Sequence, residues 1–542
     1  MIIMKKFLVV LLALCMVFSF AACGGNTDNG GAASGDGIVD VCLASEPQSI
    51  DPALNSAVDG AIMIQHAFEG LIKWVNDGEG NAVLAPGMAE SWDVDGTTWT
   101  FHIRENATWS DGQPVTANDF VYSWNRLVNP ETAADYEYMV DMVKGYDEHN
   151  LAISAPDDHT FVVELSTACP YFEEICAFPA TFPVRQDIVE EYGDQWTFDT
   201  ATYVSNGPYV MTEWQHNGYI LMSKNEAYYD ADAYTTPQVK FHLMDDANAM
   251  LAGFRNGQLD FIEEVPQDEI QALLQSGDLK VDPYIGTYYV CFQTQKAPFD
   301  DARVRKAFSL AIDRNYIINQ VTGRGEVVAT GYVPAGIYDA EGPAGDDFRT
   351  VGGDYYTVDD EGYQARCDEA RQLLAEAGYP NGEGFPVVEY LYNTNDNHKA
   401  IGEALQNMWQ TELGVTVSLN NQDWAVFLDT RKNGDYSIAR NGWIADYNDP
   451  MSFIDMWMTG GGNNDAQYAN PAYDALVKKA KTTDVAADRM NYMHQAEDIL
   501  IGEDSVLAPI YFYVNTKMVA EGLDGIYYTP LGYYFFGQCS GF

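Results

Sequence analysis

The histidines that could serve as bases or metal ligands are scattered: His66, His102, His149, His159, His216, His242, His398 and His494. No two stand at HxxxH spacing, so the paired geometry of a zinc protease is missing. There is no GxSxG elbow, no GxxxxGK[ST] phosphate loop, and no GxGxxG after a strand-like run. Acidic pairs abound among 80 Asp and Glu, so pairing alone says nothing about glycosidase chemistry. Asp93-Val-Asp95-Gly96 and Asn393-Thr-Asn395-Asp396 hint at calcium loops, but neither continues with the ligands an EF-hand needs. No catalytic residues, metal site or cofactor are expected.

One residue does invite chemistry, at the N-terminus. Lys5 and Lys6 precede an apolar run, Phe7 to Phe20, interrupted only by Ser19. That run is short for a membrane span, which needs about 20 residues, and suits a signal h-region. Ala21-Ala22-Cys23-Gly24 follows, with Phe20 where Leu is usual three positions before the Cys. Small residues before a Cys make a lipobox, so Cys23 is expected to carry lipid; the alternative is an ordinary signal peptide cut near Ala22. Residues 24–37, GGNTDNGGAASGDG, hold no large apolar side chain. Such a coil acts as a tether spanning roughly 20 Å root-mean-square. No later segment reads as transmembrane.

With Cys15 lost and Cys23 lipidated, six cysteines remain: Cys42, Cys169, Cys176, Cys291, Cys367 and Cys539. They are sparse and form no CxxC pattern, so the body does not depend on a disulfide framework. Cys169 and Cys176 could close a small loop; their pairing is not readable from the sequence. A formal charge of −51 argues against nucleic acid and anionic headgroups as partners. The 35 Tyr, 25 Phe and 11 Trp serve mainly core packing, with a share suited to a wet binding cleft.

Short β-like runs alternate with helices from Val39 onward. Trp99–Ile103, Thr160–Leu165, Tyr219–Met222 and Val239–Leu243 read as strands, and Asp111-Gly112 as a turn. Asp300 and Asp301 cap a helix carrying Val304, Ala307, Phe308, Ala311 and Ile312 at helical spacing. Further helices are predicted over Asp368–Ala377, from Asn470-Pro471, and over Asp484–Ile501. The class is mixed α/β, and the length calls for at least two lobes.

An ordered set of segments carries a more specific signal. It comprises Glu46-Pro-Gln-Ser-Ile-Asp51-Pro52, Glu69-Gly70-Leu71, Pro86-Gly-Met-Ala-Glu-Ser-Trp92, Trp99–Arg104, Trp109–Trp124, Asn206-Gly-Pro-Tyr209, Pro298–Arg305, Ala311-Ile-Asp-Arg314 and Arg440–Pro450. Together these resemble the peptide/nickel class of solute-binding proteins, and within it the oligopeptide-binding proteins of ABC importers. The resemblance covers nearly all of the chain after the tether.

The resemblance implies roles residue by residue. Asp446 matches the carboxylate that pairs with a peptide's free α-amino group; a helix N-cap is its plainer reading. A buried ammonium needs such a counter-charge. Arg440, Gly442 and Trp443 match the strand along which the family holds peptide backbone by main-chain hydrogen bonds, which ignore side-chain identity. Trp424 matches a ring lining a side-chain pocket. His398, or else an exposed loop histidine, falls at a position helping with the peptide carboxyl end, with Arg431 and Arg440 as the other cations in reach. Tyr136, Tyr284 and Tyr289 fall on pocket positions. Two departures stand out. Glu263-Glu264-Val265-Pro266 stands where some relatives show Asn before the Met-Pro of a cleft loop, and an extra carboxylate there, Glu264, would favour basic peptide residues or alter the pocket. Gly286 and Ile444 occupy places that some relatives link by a disulfide.

The resemblance thus implies a two-lobed α/β fold of type II periplasmic-binding-protein kind, with an inserted domain and a hinge. The expected division is 1–22 signal, 23–37 tether, 38–70 with 196–286 and 514–542 first lobe, 71–195 inserted domain, and 287–513 second lobe. The expected protein is a monomeric, lipid-anchored extracytoplasmic binder that captures oligopeptides and delivers them to ABC importer permease subunits. Dipeptides, nickel complexes, haem and sugars are rival ligands within the class, a secreted hydrolase is the rival outside it, and a sensing role is a third option.

Overall fold

The computed structural model describes residues 37–359 and 361–542. The residues expected to form a signal segment, and Cys23, lie outside the described residues. Among the described residues no helix is long and apolar enough to cross a membrane.

One 11-stranded mixed sheet runs through the molecule. Its spine is two 13-residue strands, Lys280–Phe292 and Leu507–Val519, paired antiparallel. At one end Phe261–Ile262 joins them to Ile38–Cys42, and then to Gln238–His242, Tyr219–Lys224 and Tyr209–Gln215. At the other, Ile438–Ile444 pairs along Gly286–Phe292, followed by Val388–Asn393 and Val417–Gln422 in parallel. The spine changes register midway: Pro283 opposes Val514, whereas Thr287 opposes Phe512. Three residues, Tyr284 to Gly286, thus face Tyr513 alone, and such a bulge bends and twists a strand locally. Gly286 stands opposite Ile444, and a Cβ there would lie 2.3 Å from the Ile444 side chain, so the pair is tightly packed without a disulfide.

A separate four-stranded antiparallel sheet, built from Ala89–Asp95, Thr98–Ile103, Thr160–Glu164 and Ile153–Asp157, packs against the helix Ala117–Leu127. Phe101, Phe161, Trp124 and Phe172 meet edge-on or tilted at its centre. A second core, around Phe292, Phe299, Phe308, Tyr390 and Trp409, fills the body beyond the other end of the spine.

Several of the segments that carry the resemblance prove to be structural pins. Asp51 takes Arg126 through both oxygens, at 2.9 and 2.6 Å, and Trp196 Nε1 at 2.8 Å, tying the N-terminal segment to the four-stranded unit. Asn206 accepts from Glu69 N and donates to Glu69 O, and Gly207 sits where a Cβ would be 2.6 Å from Ala67 O. Arg314 is buried and donates to the carbonyls of Pro509 and Ser309.

Strands fall where alternation placed them: Thr98–Ile103, Thr160–Glu164, Tyr219–Lys224 and Gln238–His242. The helix capped by Asp301 ends at Leu310, short of Ile312, because Asp313 caps a new turn by accepting from Tyr316 N. The helix expected over Asp368–Ala377 begins earlier, at Tyr363. That expected over Asp484–Ile501 runs from Ala486 to Glu497 and then widens into a π-helical turn, Asp498–Glu503. Cys169 and Cys176 are both free, as are Cys42, Cys291, Cys367 and Cys539, so no disulfide closes the small loop.

Candidate ligand-binding site

The strand Ile438–Ile444 positions most of the predicted residues. One edge is fully paired to the spine. On the other edge only Ile438 and Ala439 have partners, in Tyr390 and Leu391. From Arg440 to Ile444 that second edge carries no strand among the described residues, and it borders a cavity of about 270 Å³. An unpaired strand edge presents a row of backbone donors and acceptors to whatever lies beside it. A Cβ at Gly442 would lie 2.2 Å from Tyr513 Oη, so any larger residue there would displace that phenol from the cavity wall.

Just beyond the strand, Asp446 closes one end of the cavity. Its side chain is 8% exposed and has no ion-pair partner among the described residues. Tyr136 Oη donates to Oδ1 at 2.9 Å, Ser452 Oγ lies 3.4 Å from Oδ2, and Asp446 N donates to Ser452 Oγ at 2.8 Å. Burial pushes the carboxyl well above its ordinary range, and the Asp455 charge adds to this, against the pull of the Tyr136 and Ser452 hydrogen bonds. A carboxyl so placed gains most from an approaching cation. The local turn does not use Asp446 as a helix cap: the short helix Met451–Ile454 starts at Pro450, and Asp449 Oδ1 takes Met451 N.

Arg440 is the complementary charge. Among the described residues it too lacks an ion-pair partner, and its guanidinium sits over the rings of Tyr288 at 5.4 Å and Trp424 at 6.0 Å. Arg431, by contrast, is committed: Nε lies 2.7 Å from Asp465 Oδ2 and Nη1 donates to Asn441 Oδ1 at 2.7 Å. Asn441 in turn donates to Asp465 at 2.9 Å, which fixes the strand's approach to the cavity. Lys432 pairs with Asp135. Trp443 donates its Nε1 to Ser452 O at 2.7 Å and lies 6.2 Å from the Tyr136 ring, making an aromatic wall.

The structure therefore brings Asp446, Arg440, Gly442, Trp443, Trp424, Arg431, Tyr136 and Tyr284 together on one cavity. Three predicted residues stand elsewhere. His398 lies behind Tyr288, whose hydroxyl is 3.3 Å from Nδ1; burial, with Arg440 and Arg324 nearby, holds the imidazole neutral. Tyr289 is fully buried on the opposite face of its strand, edge-on to Tyr332 and Trp457. The one-residue alternation that turns Tyr288 toward Arg440 turns Tyr289 away. Glu264 is taken by Arg324 at 2.8 Å and does not line the cavity, so it is not the free carboxylate expected of that loop. Its neighbour Glu263 is half-buried, held by Asn515 Nδ2 at 3.0 Å, and its carboxyl is pushed up to about 8 chiefly by loss of water contact.

Sequence reasoning missed Asp59, Asp135, Asp465, Tyr513 and Tyr533, all of which line the cavity. They come from separate segments, and no spacing within any one of them marks a site.

The family model of bacterial extracellular solute-binding proteins, family 5 (middle), matches residues 83–465. The periplasmic oligopeptide-binding protein OppA of Salmonella typhimurium is 38% identical over 496 residues, covering 89% of this chain and 88% of that protein. The structure of Haemophilus influenzae OppA in complex with RPPGFSPFR superposes with a TM-score of 0.85 at 32% identity, covering 93% of this chain and 100% of that one. The murein tripeptide-binding protein MppA in its unliganded open form gives a TM-score of only 0.59 at 32% identity, over 93% of this chain and 96% of that one. The lobes here are thus arranged as in the peptide complex. With its two-lobed type II fold, the chain belongs to the family 5 bacterial extracellular solute-binding proteins.

Proposed function

We propose that this protein captures oligopeptides in the cavity between its lobes and hands them to an ABC importer. The observation that carries the reading is the unpaired edge Arg440–Ile444 ending at Asp446, a buried carboxylate held only by neutral donors. A peptide laid antiparallel on that edge places its α-ammonium at Asp446 and runs its carboxyl end toward Arg440. Backbone groups on both sides are then satisfied whatever the side chains, which suits a binder of varied sequences. Relatives named for peptide binding and the peptide-bound fold of H. influenzae OppA support the same assignment.

The division into a first lobe (38–70, 196–286, 514–542), an inserted domain (71–195) and a second lobe (287–513) accords with the register break in the spine at Tyr284–Gly286, where the hinge would bend. Hydrogen bonds across the proposed divide, such as Gln48 Nε2 to Asp429 Oδ1 at 2.8 Å and Asn463 Nδ2 to Tyr138 Oη at 3.1 Å, would hold the closed form. The protein acts without turnover, as a monomer on the outer face of the membrane, held there by lipid on Cys23. Native mass spectrometry of freshly purified protein tests the reading: co-purifying masses should be intact peptides of mixed sequence. Bound sugar, haem or nickel complex with no peptide, or cleavage of an added peptide library, overturns it.

A further inference from the structure

The cavity wall carries more acid than a simple peptide would neutralise. Its carboxylates are Asp59, Asp135, Asp446 and Asp465, and its cations Arg431, Lys432 and Arg440. Arg431 is spent on Asp465 and Lys432 on Asp135. Among the described residues three charges are left without an ion-pair partner: Asp446, Arg440 and Asp59. On the peptide reading, the ligand's two termini answer the first two. Nothing in a ligand with neutral side chains answers the third.

Asp59 is set to receive something. It sits in the first turn of the helix Val58–Ala67, with its side chain 8% exposed and Oδ2 without a hydrogen-bond partner. The helix N-terminus and the nearby Gly60 N–H favour its charge, as does the Trp424 indole, but burial outweighs them and lifts the carboxyl to about 6. Trp424 belongs to a helix of the other proposed lobe, Trp424–Lys432, and its Nε1 is likewise buried and unpartnered. An indole wall beside a buried carboxylate suits one side-chain class. A long aliphatic stem lies along the ring, and its terminal cation meets the carboxylate. Glu264, the carboxylate that sequence pointed to for this purpose, is already neutralised by Arg324.

We infer that Asp59, beside Trp424 on the cavity wall, makes this protein prefer peptides bearing a lysine- or arginine-like side chain at one fixed position. The inference rests on the peptide reading above, and it concerns selectivity within it. Closure then leaves a charge-balanced cavity: ammonium on Asp446, carboxylate on Arg440, side-chain cation on Asp59. A neutral side chain at that position leaves Asp59 buried and unpaired, which costs affinity.

Calorimetry on the purified protein tests this with trialanine and its lysine and norleucine derivatives at each position in turn. Norleucine keeps the stem and lacks the charge. At one position lysine should bind at least about tenfold more tightly than norleucine. Asp59→Asn should reduce that ratio to about twofold or less while binding the norleucine peptide no more weakly than wild type does. Asp59→Glu should restore the preference. Trialanine binding and the melting temperature show that each variant folds; if Asp59→Asn does not, Asp59→Ser carries the same comparison. Wild type that binds trialanine without preferring lysine anywhere overturns the inference and spares the peptide reading, as does a preference that survives in Asp59→Asn. Failure of wild type to bind any of these peptides removes both.

Discussion

Tyr136 and Asp446 meet at 2.9 Å, phenol to carboxylate, although one precedes the helix Ala117–Leu127's neighbouring 3-10 turn Glu137–Val140 and the other follows the strand Ile438–Ile444. The hydrogen bond crosses from the proposed inserted domain to the proposed second lobe, and it is the only full-strength side-chain bond Asp446 accepts among the described residues. It orients Oδ1 and leaves the carboxylate's charge unmatched. Tyr136→Phe removes the donor and keeps the ring against Phe178 and Trp443. A hydrogen bond to a charged group contributes about 1.5–3 kcal/mol. Peptide affinity should therefore fall by at least about tenfold, evenly across sequences, measured by calorimetry on a small peptide panel. A loss confined to some sequences would assign Tyr136 to a side-chain pocket instead.

Closure is the second expectation. The arrangement seen here, like that of the peptide-bound relative, is stitched by contacts that motion at the proposed hinge, Tyr284–Gly286, would open, including the stack of Tyr171 on Tyr447 at 4.2 Å. Ligand that bridges the lobes stabilises this form alone, so a tight peptide should shrink the radius of gyration and raise the melting temperature. Small-angle scattering at saturating peptide measures the first. Saturation with no change in radius rejects the hinge as the response to ligand.

Closure should also take up protons. Glu174 Oε2 accepts Asn448 N–H at 2.7 Å across the proposed divide, and burial, with the Asp449 carboxylate adding to it, lifts Glu174 to about 7. An opened cleft would return it to the ordinary carboxylate range near 4.5. The closed state thus binds the proton more tightly. Its advantage is complete below the open-form value, is lost as pH rises from about 4.5 to 7, and is absent above that. Peptide affinity should fall across this window by about tenfold, less than the full shift implies because the side chain keeps some contact with water. Glu174→Gln should flatten that part of the profile. An unchanged slope in the variant assigns the dependence to another group.

How far the site was legible follows from how each residue earns its place. Asp446, Arg440, Gly442 and Trp443 lie on one short run, so a single motif located them. Tyr289 was misplaced because motif position does not report which face of a strand a side chain takes, and Tyr288 and Tyr289 differ only in that. Glu264 looked like a free carboxylate because its partner, Arg324, is distant in sequence and meets it only through folding. Asp59 was invisible for the converse reason: an Asp in a helix's first turn is the ordinary sign of a helix start. What distinguishes it is burial beside Trp424 and the lack of a partner cation among the described residues, both properties of the assembled cavity. The four strands read from local alternation were found to within two residues, though the two long spine strands, Lys280–Phe292 and Leu507–Val519, were not read at all, and helix ends shifted where a tertiary partner intervened. Glu497 closes its helix by accepting Tyr332 N and Val333 N and pairing with Arg349, none of them near it in sequence.

The sharpest prediction concerns the α-amino group. Asp446→Asn preserves shape and the Tyr136 contact but removes the charge, so it isolates the ion-pair contribution. Losing one partner of a buried charge pair costs about 3–5 kcal/mol, because the other charge stays buried and unmatched. The variant should bind a free-amino peptide at least about a hundredfold more weakly than wild type does. N-acetylation of the peptide should impose a loss of similar size on wild type, since a neutral amide then faces a carboxylate that burial already disfavours. The decisive quantity is the fourth combination. If ammonium and carboxylate act as one interaction, acetylated peptide should lose little further in Asp446→Asn, and the two changes should be far from additive. Calorimetry on the four combinations yields that coupling directly. Additive losses, or tight binding of acetylated peptide by wild type, would make Asp446 a structural carboxyl and place the ligand's amino end elsewhere in the cavity.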